Sequence, residues 1–236
     1  LLNLMENHEA FQEGGAQPIT IAASTPRGTS LRTEQGTLSI REQTTEQVVL
    51  MLGQPSLAHG HPDDPGLRLL QAHLGQGMSS LLFRRLREDH GVAYDVGVHH
   101  PARAGAAPFV MHAATSTDRS KLSLQLLLES WNEMCSKPLD PDDLQLAKVK
   151  VRGQLAHASQ TTGQRAERRA QLRGLGLPDD HDQRCLEIMD ALDPVSIQRI
   201  AAEHLSRPLL SLCGPQASLR VLESQWEARQ GEARQR

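Results

Sequence analysis

The stretch LGQGMSSLLFRRLREDHGVAYDVGV, residues 74–98, decides how the chain is read. It orders a glycine loop, a short helix, a sharp turn and a strand. Gly75 and Gly77 adopt tight-loop backbone angles at little steric cost, and a hydroxyl at Ser79 or Ser80 then caps a helix starting near Leu81. Leu82, Phe83 and Leu86 recur at helical spacing and predict a buried face, with Arg84, Arg85, Arg87, Glu88 and Asp89 on the polar side. Gly91 ends the helix. Beyond it Val92, Tyr94, Val96 and Val98 alternate with Ala93, Asp95 and Gly97, the period of a half-buried strand.

The elbow between these two elements carries the chemistry. Arg87 lies four positions before Gly91, about 6 Å along a helix, and Tyr94 three positions after it, about 10 Å along a strand. A strand that folds back there brings a guanidinium and a phenol to one spot. Residue physics alone favours a bland arrangement, which the resemblance given below reverses. Arg87 then sits near a helix C-terminus, where a cation suits the dipole and pairs with Glu88 or Asp89, and Tyr94 is an inward aromatic with a bonded hydroxyl.

The order Gly-Met-Ser-Ser, Leu-Phe, Leu-Arg-Glu, Gly-Val-Ala-Tyr resembles the second, non-catalytic homologous domain of pitrilysin and insulinase type zinc peptidases, in the processing-peptidase branch. In that family an Arg and a Tyr spaced like Arg87 and Tyr94 hold the substrate's backbone carbonyls against a zinc site in a partner domain. The resemblance implies the same role here, with Arg87 and Tyr94 substrate-binding, Gly75, Gly77 and Ser79 forming the glycine loop, and no catalytic or metal-ligating residue in this chain. It places zinc in a partner domain or subunit, in cis or in trans, within a dimer, and it makes a peptide or unfolded polypeptide the substrate. This chain alone then neither binds zinc tightly nor hydrolyses peptides, while its parent is a zinc metalloendopeptidase. A second class stays open: a non-catalytic structural or assembly subunit derived from the same fold, as in core subunits of respiratory complexes. Retention of Arg87 and Tyr94 favours the peptidase.

Composition narrows the rest. The 236 residues are enough to bury a sizeable core, and aromatics make up only 3%, so that core is built from Leu, Val, Ile, Ala and Met. A formal charge of −3 leaves no electrostatic footprint for nucleic acid. Arg165, Arg168, Arg169 and Arg173 make a local basic face that reads as a solvated helix surface. Three scattered cysteines, Cys135, Cys185 and Cys213, form no Cys-x-x-Cys pair and point to a reducing, cytoplasmic setting. No apolar run approaches the roughly 20 residues that span a bilayer, so no membrane is expected.

Zinc peptidases of this kind need two imidazoles one helical turn apart and a Glu that activates water, as in His-x-x-Glu-His, and the sequence holds no such motif. Among its 11 histidines, His59 and His61 fall on a Pro-rich loop, His99 and His100 at a strand end read as surface, and His112 lies in a strand. Neither a Gly-x-Ser-x-Gly elbow nor a Walker-type phosphate loop occurs, and the Gly75 to Gly77 pair reads as a tight turn into a helix.

Four segments are expected. Residues 1–13 read as the end of a helix from a preceding domain, and 14–41, rich in Gly, Ser, Thr, Gln and Pro, as an interdomain linker. Residues 42–222 form the peptidase-like, non-catalytic domain, and 223–236 a polar, frayed tail. Within the domain, the apolar run VVLML predicts a strand buried on both faces, Phe109–Thr115 another, and Leu209–Cys213 the last core strand, with 219–222 at an edge. Asp64, Asp140 and Asp193 each precede a proline and predict helix N-caps. Leu124, Leu127, Leu128, Trp131 and Met134 face inward from a helix over 118–135. The fold class is therefore α+β, a sandwich of one mainly antiparallel sheet covered by helices.

Overall fold

A computed structural model describes residues 38–234 of the chain, with side chains described to residue 230. The helix end expected over 1–13 lies outside the described residues, as does most of the expected linker. All described residues belong to the unit Thr33–Arg236.

Five strands build the sheet of the described residues: β1 (Leu38–Glu42), β2 (Gln47–Pro55), β3 (Asp95–His99), β4 (Pro108–Ser116) and β5 (Leu209–Gly214), in the order β1-β5-β2-β4-β3. β1 runs parallel to β5, with Leu38 opposite Leu210 and Glu42 opposite Gly214; the other pairs are antiparallel. Eight helical segments accompany them among the described residues: α1 (Asp64–Gly75), α2 (Phe83–Asp89), α3 (Ser120–Ser136), α4 (Pro141–His157), α5 (Thr162–Gly174), α6 (His181–Ala191), α7 (Pro194–His204) and α8 (Gln216–Arg234). A single 3-10 turn, Thr117–Arg119, leads into α3. This is the expected α+β sandwich of one mainly antiparallel sheet and a helical layer.

Register explains where the core sits. Leu50 and Leu52 of β2 stand opposite Ala113 and Met111 of β4 on one side and Leu212 and Leu210 of β5 on the other, so all six side chains share a face. That face packs on Leu67 and Leu70 of α1, Leu124, Leu127 and Trp131 of α3, and Ile197 and Ile200 of α7. The five positions predicted inward on α3 are all buried. Trp131 also donates its indole N–H to the Leu205 carbonyl at 2.8 Å, tying α3 to the end of α7.

Four expectations need correction. β2 is buried on one face only: Met51 is 47% exposed, because helices cover a single side of the sheet. β1 begins at Leu38, inside the span read as linker, because Leu38 and Ile40 alternate with polar residues in a short edge strand whose backbone partners lie far away in β5. The predicted caps at Asp140 and Asp193 accept from the amides of Asp142 and Ser196, whereas Asp64 does not cap α1, since the cap position is Asp63. Finally, residues 219–222 are helical and the tail from 223 continues as α8, with Leu219, Leu222 and Trp226 buried. Those three positions lie on one helical face at i, i+3 and i+7.

Trp226 is 2% exposed, so Trp226→Ala is expected to lower the unfolding free energy by about 3–5 kcal/mol in urea titration. A change within a few tenths of a kcal/mol would return this segment to the status of a frayed tail.

Candidate functional site

The elbow is fixed from the backbone outward. α1 ends on Gly75, where an added Cβ would lie 2.5 Å from the Val98 amide nitrogen, so this glycine permits close approach of helix to strand rather than a loop conformation. The loop conformation belongs to Gly77, with φ +74°. Ser79 is exposed, and it is the backbone of Ser80 that starts the helix: its amide donates to the Gly77 carbonyl at 3.1 Å and its carbonyl accepts from Arg84 at 3.0 Å. From Phe83 the helix widens to π-type pairing, a form frequent at functional sites. Leu82 and Leu86 enter the core as predicted, while Phe83 is half-buried and lies beneath Arg87, whose guanidinium carbon is 5.1 Å from the ring centre.

Gly91 turns the chain with φ +59°, a conformation open to glycine. The Val92 amide then donates back to the Leu86 carbonyl at 2.7 Å. Two hydroxyls converge on the Val92 carbonyl, Thr115 Oγ1 from β4 and Ser123 Oγ from α3 at 3.2 Å, and Arg119 Nη1 donates to the Gly91 carbonyl. Both Val92 and Ala93 are buried, so the expected alternation breaks and Tyr94 turns outward with 65% exposure. The inward, core-packed Tyr94 of the bland arrangement is therefore not what forms.

The three arginines of α2 divide by partner. Arg85 donates to Ser130 and Glu133 of α3, at 2.8 and 2.6 Å, and Arg84 approaches Asp143 of α4 at 3.8 Å. Arg87 makes no carboxylate pair among the described residues. Its Nη1 instead donates to the Tyr94 backbone carbonyl at 3.3 Å, so guanidinium and Tyr94 meet across the turn, through the main chain of the latter. The expected pairing of Arg87 with Glu88 or Asp89 is not formed.

A second polar centre was missed. Asp64 is fully buried and accepts from His100 Nε2 at 2.9 Å, His59 Nδ1 at 2.8 Å and Arg68 Nε at 2.7 Å. Burial opposes its charge, but the bonds from His100 and His59 and the Arg68 cation more than reverse this and hold the carboxyl well below the usual carboxylate range. His100, read from sequence as surface, is 3% exposed because it reaches this carboxylate. The spacing Asp64 to Arg68, one helical turn, was the available signal. His99 is exposed, and His112 lies 3.6 Å from Asp95. Behind the centre, His59 packs edge-on against His181, and burial pushes the neighbouring Cys185 thiol up to about 11. Cys185 is thus an uncharged thiol at neutral pH.

Among the described residues, one group places three possible metal ligands within 4.8 Å of one another: Asp63, Glu203 and His204. It does not fit a catalytic zinc. Arg199 already bridges Asp63 and Glu203, at 3.5 and 2.9 Å, and His204 is bonded to the other Asp63 oxygen at 2.9 Å. No carboxylate is left there as a base for water. No helix of the described residues is long and apolar enough to cross a membrane.

These features define an α+β sandwich of one mainly antiparallel sheet and a helical layer, and comparison with known proteins gives its family. Residues 1–151 match the Peptidase M16 inactive domain, and the chain belongs to this family. It is 25% identical over 211 residues to an uncharacterized zinc protease of Streptomyces coelicolor, covering 89% of this chain and 45% of that protein. Over 161 residues it is 27% identical to an uncharacterized zinc protease of Bacillus subtilis, covering 68% and 38%. The chain thus spans less than half the length of these relatives. The crystal structure of a peptidase M16 inactive domain from Pseudomonas fluorescens shares the fold with a TM-score of 0.69 at 20% identity, over 76% of this chain and 43% of that one. A chain of complex III2 from Candida albicans shares it with a TM-score of 0.60 at 12% identity, over 76% and 46%.

The depressed Asp64 carboxyl gives a signed prediction. Its contribution to stability is complete above the unfolded value near 3.9 and is lost as pH falls below it. Asp64→Asn should therefore cost about 3–5 kcal/mol at pH 7 in denaturant unfolding, by removing the charge that faces Arg68 and replacing one of the two acceptor oxygens with an amide donor. It should also flatten the fall in stability as pH drops below about 4, where the wild-type carboxylate is progressively protonated. Parallel pH curves for the two proteins would contradict this account of the centre.

Proposed function

We propose that this chain is the substrate-holding, zinc-free half of a metalloendopeptidase, in which Arg87 and Tyr94 orient peptide carbonyls toward a zinc site in a homologous partner domain or subunit. One observation carries the reading: of the three arginines on α2, Arg87 alone lacks a carboxylate partner among the described residues, and it lies at an elbow whose phenol faces outward. Arg85 braces α3, while Arg87, bonded to the Tyr94 main chain through Nη1, keeps further donors for a ligand.

The proposed chemistry is positioning. A guanidinium and a phenol both donate hydrogen bonds, so together they receive peptide carbonyl oxygens and hold a strand of substrate in a fixed direction. The clamp on Gly91 and Val92 keeps that direction constant during binding, since the elbow has no loose peptide to swing. When bound in the partner, zinc supplies the activated water; nothing in this chain's residues acts on it. The substrate class that follows is an extended or unfolded polypeptide, recognised by its main chain. The glycine loop contributes by letting α1 approach β3 at Gly75, with Gly77 making the turn and Ser79 at the exposed rim.

A second reading, an assembly subunit without turnover, is supported by the shared fold of the Candida albicans complex III2 chain. The two differ in their need for Arg87. In the complete two-domain or two-subunit protease, Arg87→Ala is expected to reduce kcat/KM for peptide cleavage on the order of 10- to 100-fold, the value of one charge-assisted hydrogen bond of about 1.5–3 kcal/mol. Zinc content, measured by atomic absorption, is expected to stay unchanged, and Tyr94→Phe to give a smaller loss. Undiminished turnover in Arg87→Ala would remove the substrate-holding role and leave the assembly reading.

A further inference from the structure

The basic face of α5 lies over a groove. Residues of α4, α5 and α6 enclose an open cleft of about 850 Å³ with Leu155, Leu172 and Leu186 on its floor. α5 forms one wall while burying only Leu172 of its own residues. A capping box at its start and the Arg168 fork on Asp182, with Nε and Nη2 donating at 2.8 and 2.5 Å, hold it in place.

The charges around the cleft do not cancel. Arg152 pairs with Asp190, Arg168 with Asp182, Arg173 with Asp179 and Arg184 with Asp180, so every aspartate at the cleft is committed to an arginine of this chain. Arg165 and Arg169 remain. Both are exposed, both line the cleft, and neither side chain makes an ion pair or hydrogen bond among the described residues, although Arg169 adds to Arg173 in holding the Asp179 carboxyl below its usual range. They stand four apart on α5, one helical turn, so they present two cations on the same side. The chain as a whole carries a formal charge of −3, so this local excess runs against its average.

A partly apolar lining with more arginines than aspartates around it is complementary to one kind of occupant. We propose that the α4–α5–α6 groove docks an acidic amphipathic peptide segment of a partner protein, whose apolar side chains cover the half-buried Leu155 and Leu186 while two carboxylates one helical turn apart meet Arg165 and Arg169. The geometry is that of a helix laid in a groove, with the apolar face giving affinity and the charges giving orientation and rate. Neither arginine belongs to the elbow, so this docking role stands or falls independently of the peptidase reading.

Fluorescence anisotropy with a labelled 16-residue helical peptide of Leu, Ala and Glu, titrated with the whole chain, tests the proposal. Binding is expected, with at least a tenfold loss in the Arg165→Glu/Arg169→Glu double variant, whose fold is checked by circular dichroism. A peptide with Lys in place of Glu, and one with Ser in place of Leu, should each bind at least tenfold more weakly. Equal binding of the Glu/Ser peptide would reduce the groove to a charge effect and overturn the proposal. So would unchanged affinity in the double variant, no binding at all, or preferential capture of single-stranded RNA or polyphosphate.

Discussion

The carbonyl of Val92 is the constraint on which the candidate site depends. A buried carbonyl without a donor costs about 1–3 kcal/mol, and here two buried hydroxyls, from Thr115 on β4 and Ser123 on α3, satisfy it. That double bond anchors the peptide just after Gly91 to both the sheet and the helical layer. With Val92 and Ala93 both drawn into the core, the next residue has to leave it. The outward Tyr94 and the Arg87 guanidinium at its carbonyl follow from that single anchoring.

Asp64 does for the base of the domain what Val92 does for the elbow. Its carboxylate joins the loop bearing His59, the first two turns of α1 and the end of β3 at His100. Because β3 also carries Val98, against which Gly75 packs, the position of α1 relative to the strand after the elbow is set at both ends. Rigid elements then flank the turn on either side. The substrate-holding role proposed for the elbow needs that support, since small displacements of a binding residue forfeit much of its effect.

Much of this was legible in the sequence, and the failures have physical causes. The heptad-like run from Leu124 to Met134, the Asp-Pro caps at Asp140 and Asp193, and the order of glycine turn, short helix and strand were all readable from periodicity and turn chemistry. Asp64 was assigned a cap because Asp63, Asp64 and Pro65 form a signal that is correct to within one residue, and that one residue separates a half-buried cap position from a buried hub. The bland alternative of an inward Tyr94 extended a period-two pattern back through residues that precede the strand; with Val92 and Ala93 both buried, the pattern does not hold there and Tyr94 is exposed. In α8 the spacing of Leu219, Leu222 and Trp226 was present but diluted by polar neighbours, and in β1 a parallel partner some 170 positions away gave no local sign. Long-range pairing and buried charge are the features a local pattern does not carry.

The central claim is that the elbow meets the main chain of a bound polypeptide. Photo-crosslinking tests it most directly: p-benzoylphenylalanine replaces Tyr94 in the complete protease, which is irradiated with a substrate peptide and analysed by mass spectrometry, with the same substitution at exposed Met78 as control. The account predicts a peptide adduct at position 94 that an excess of unlabelled substrate suppresses, with little at position 78. Equal labelling at both positions, or none at 94 while the peptide is still cleaved, would contradict it.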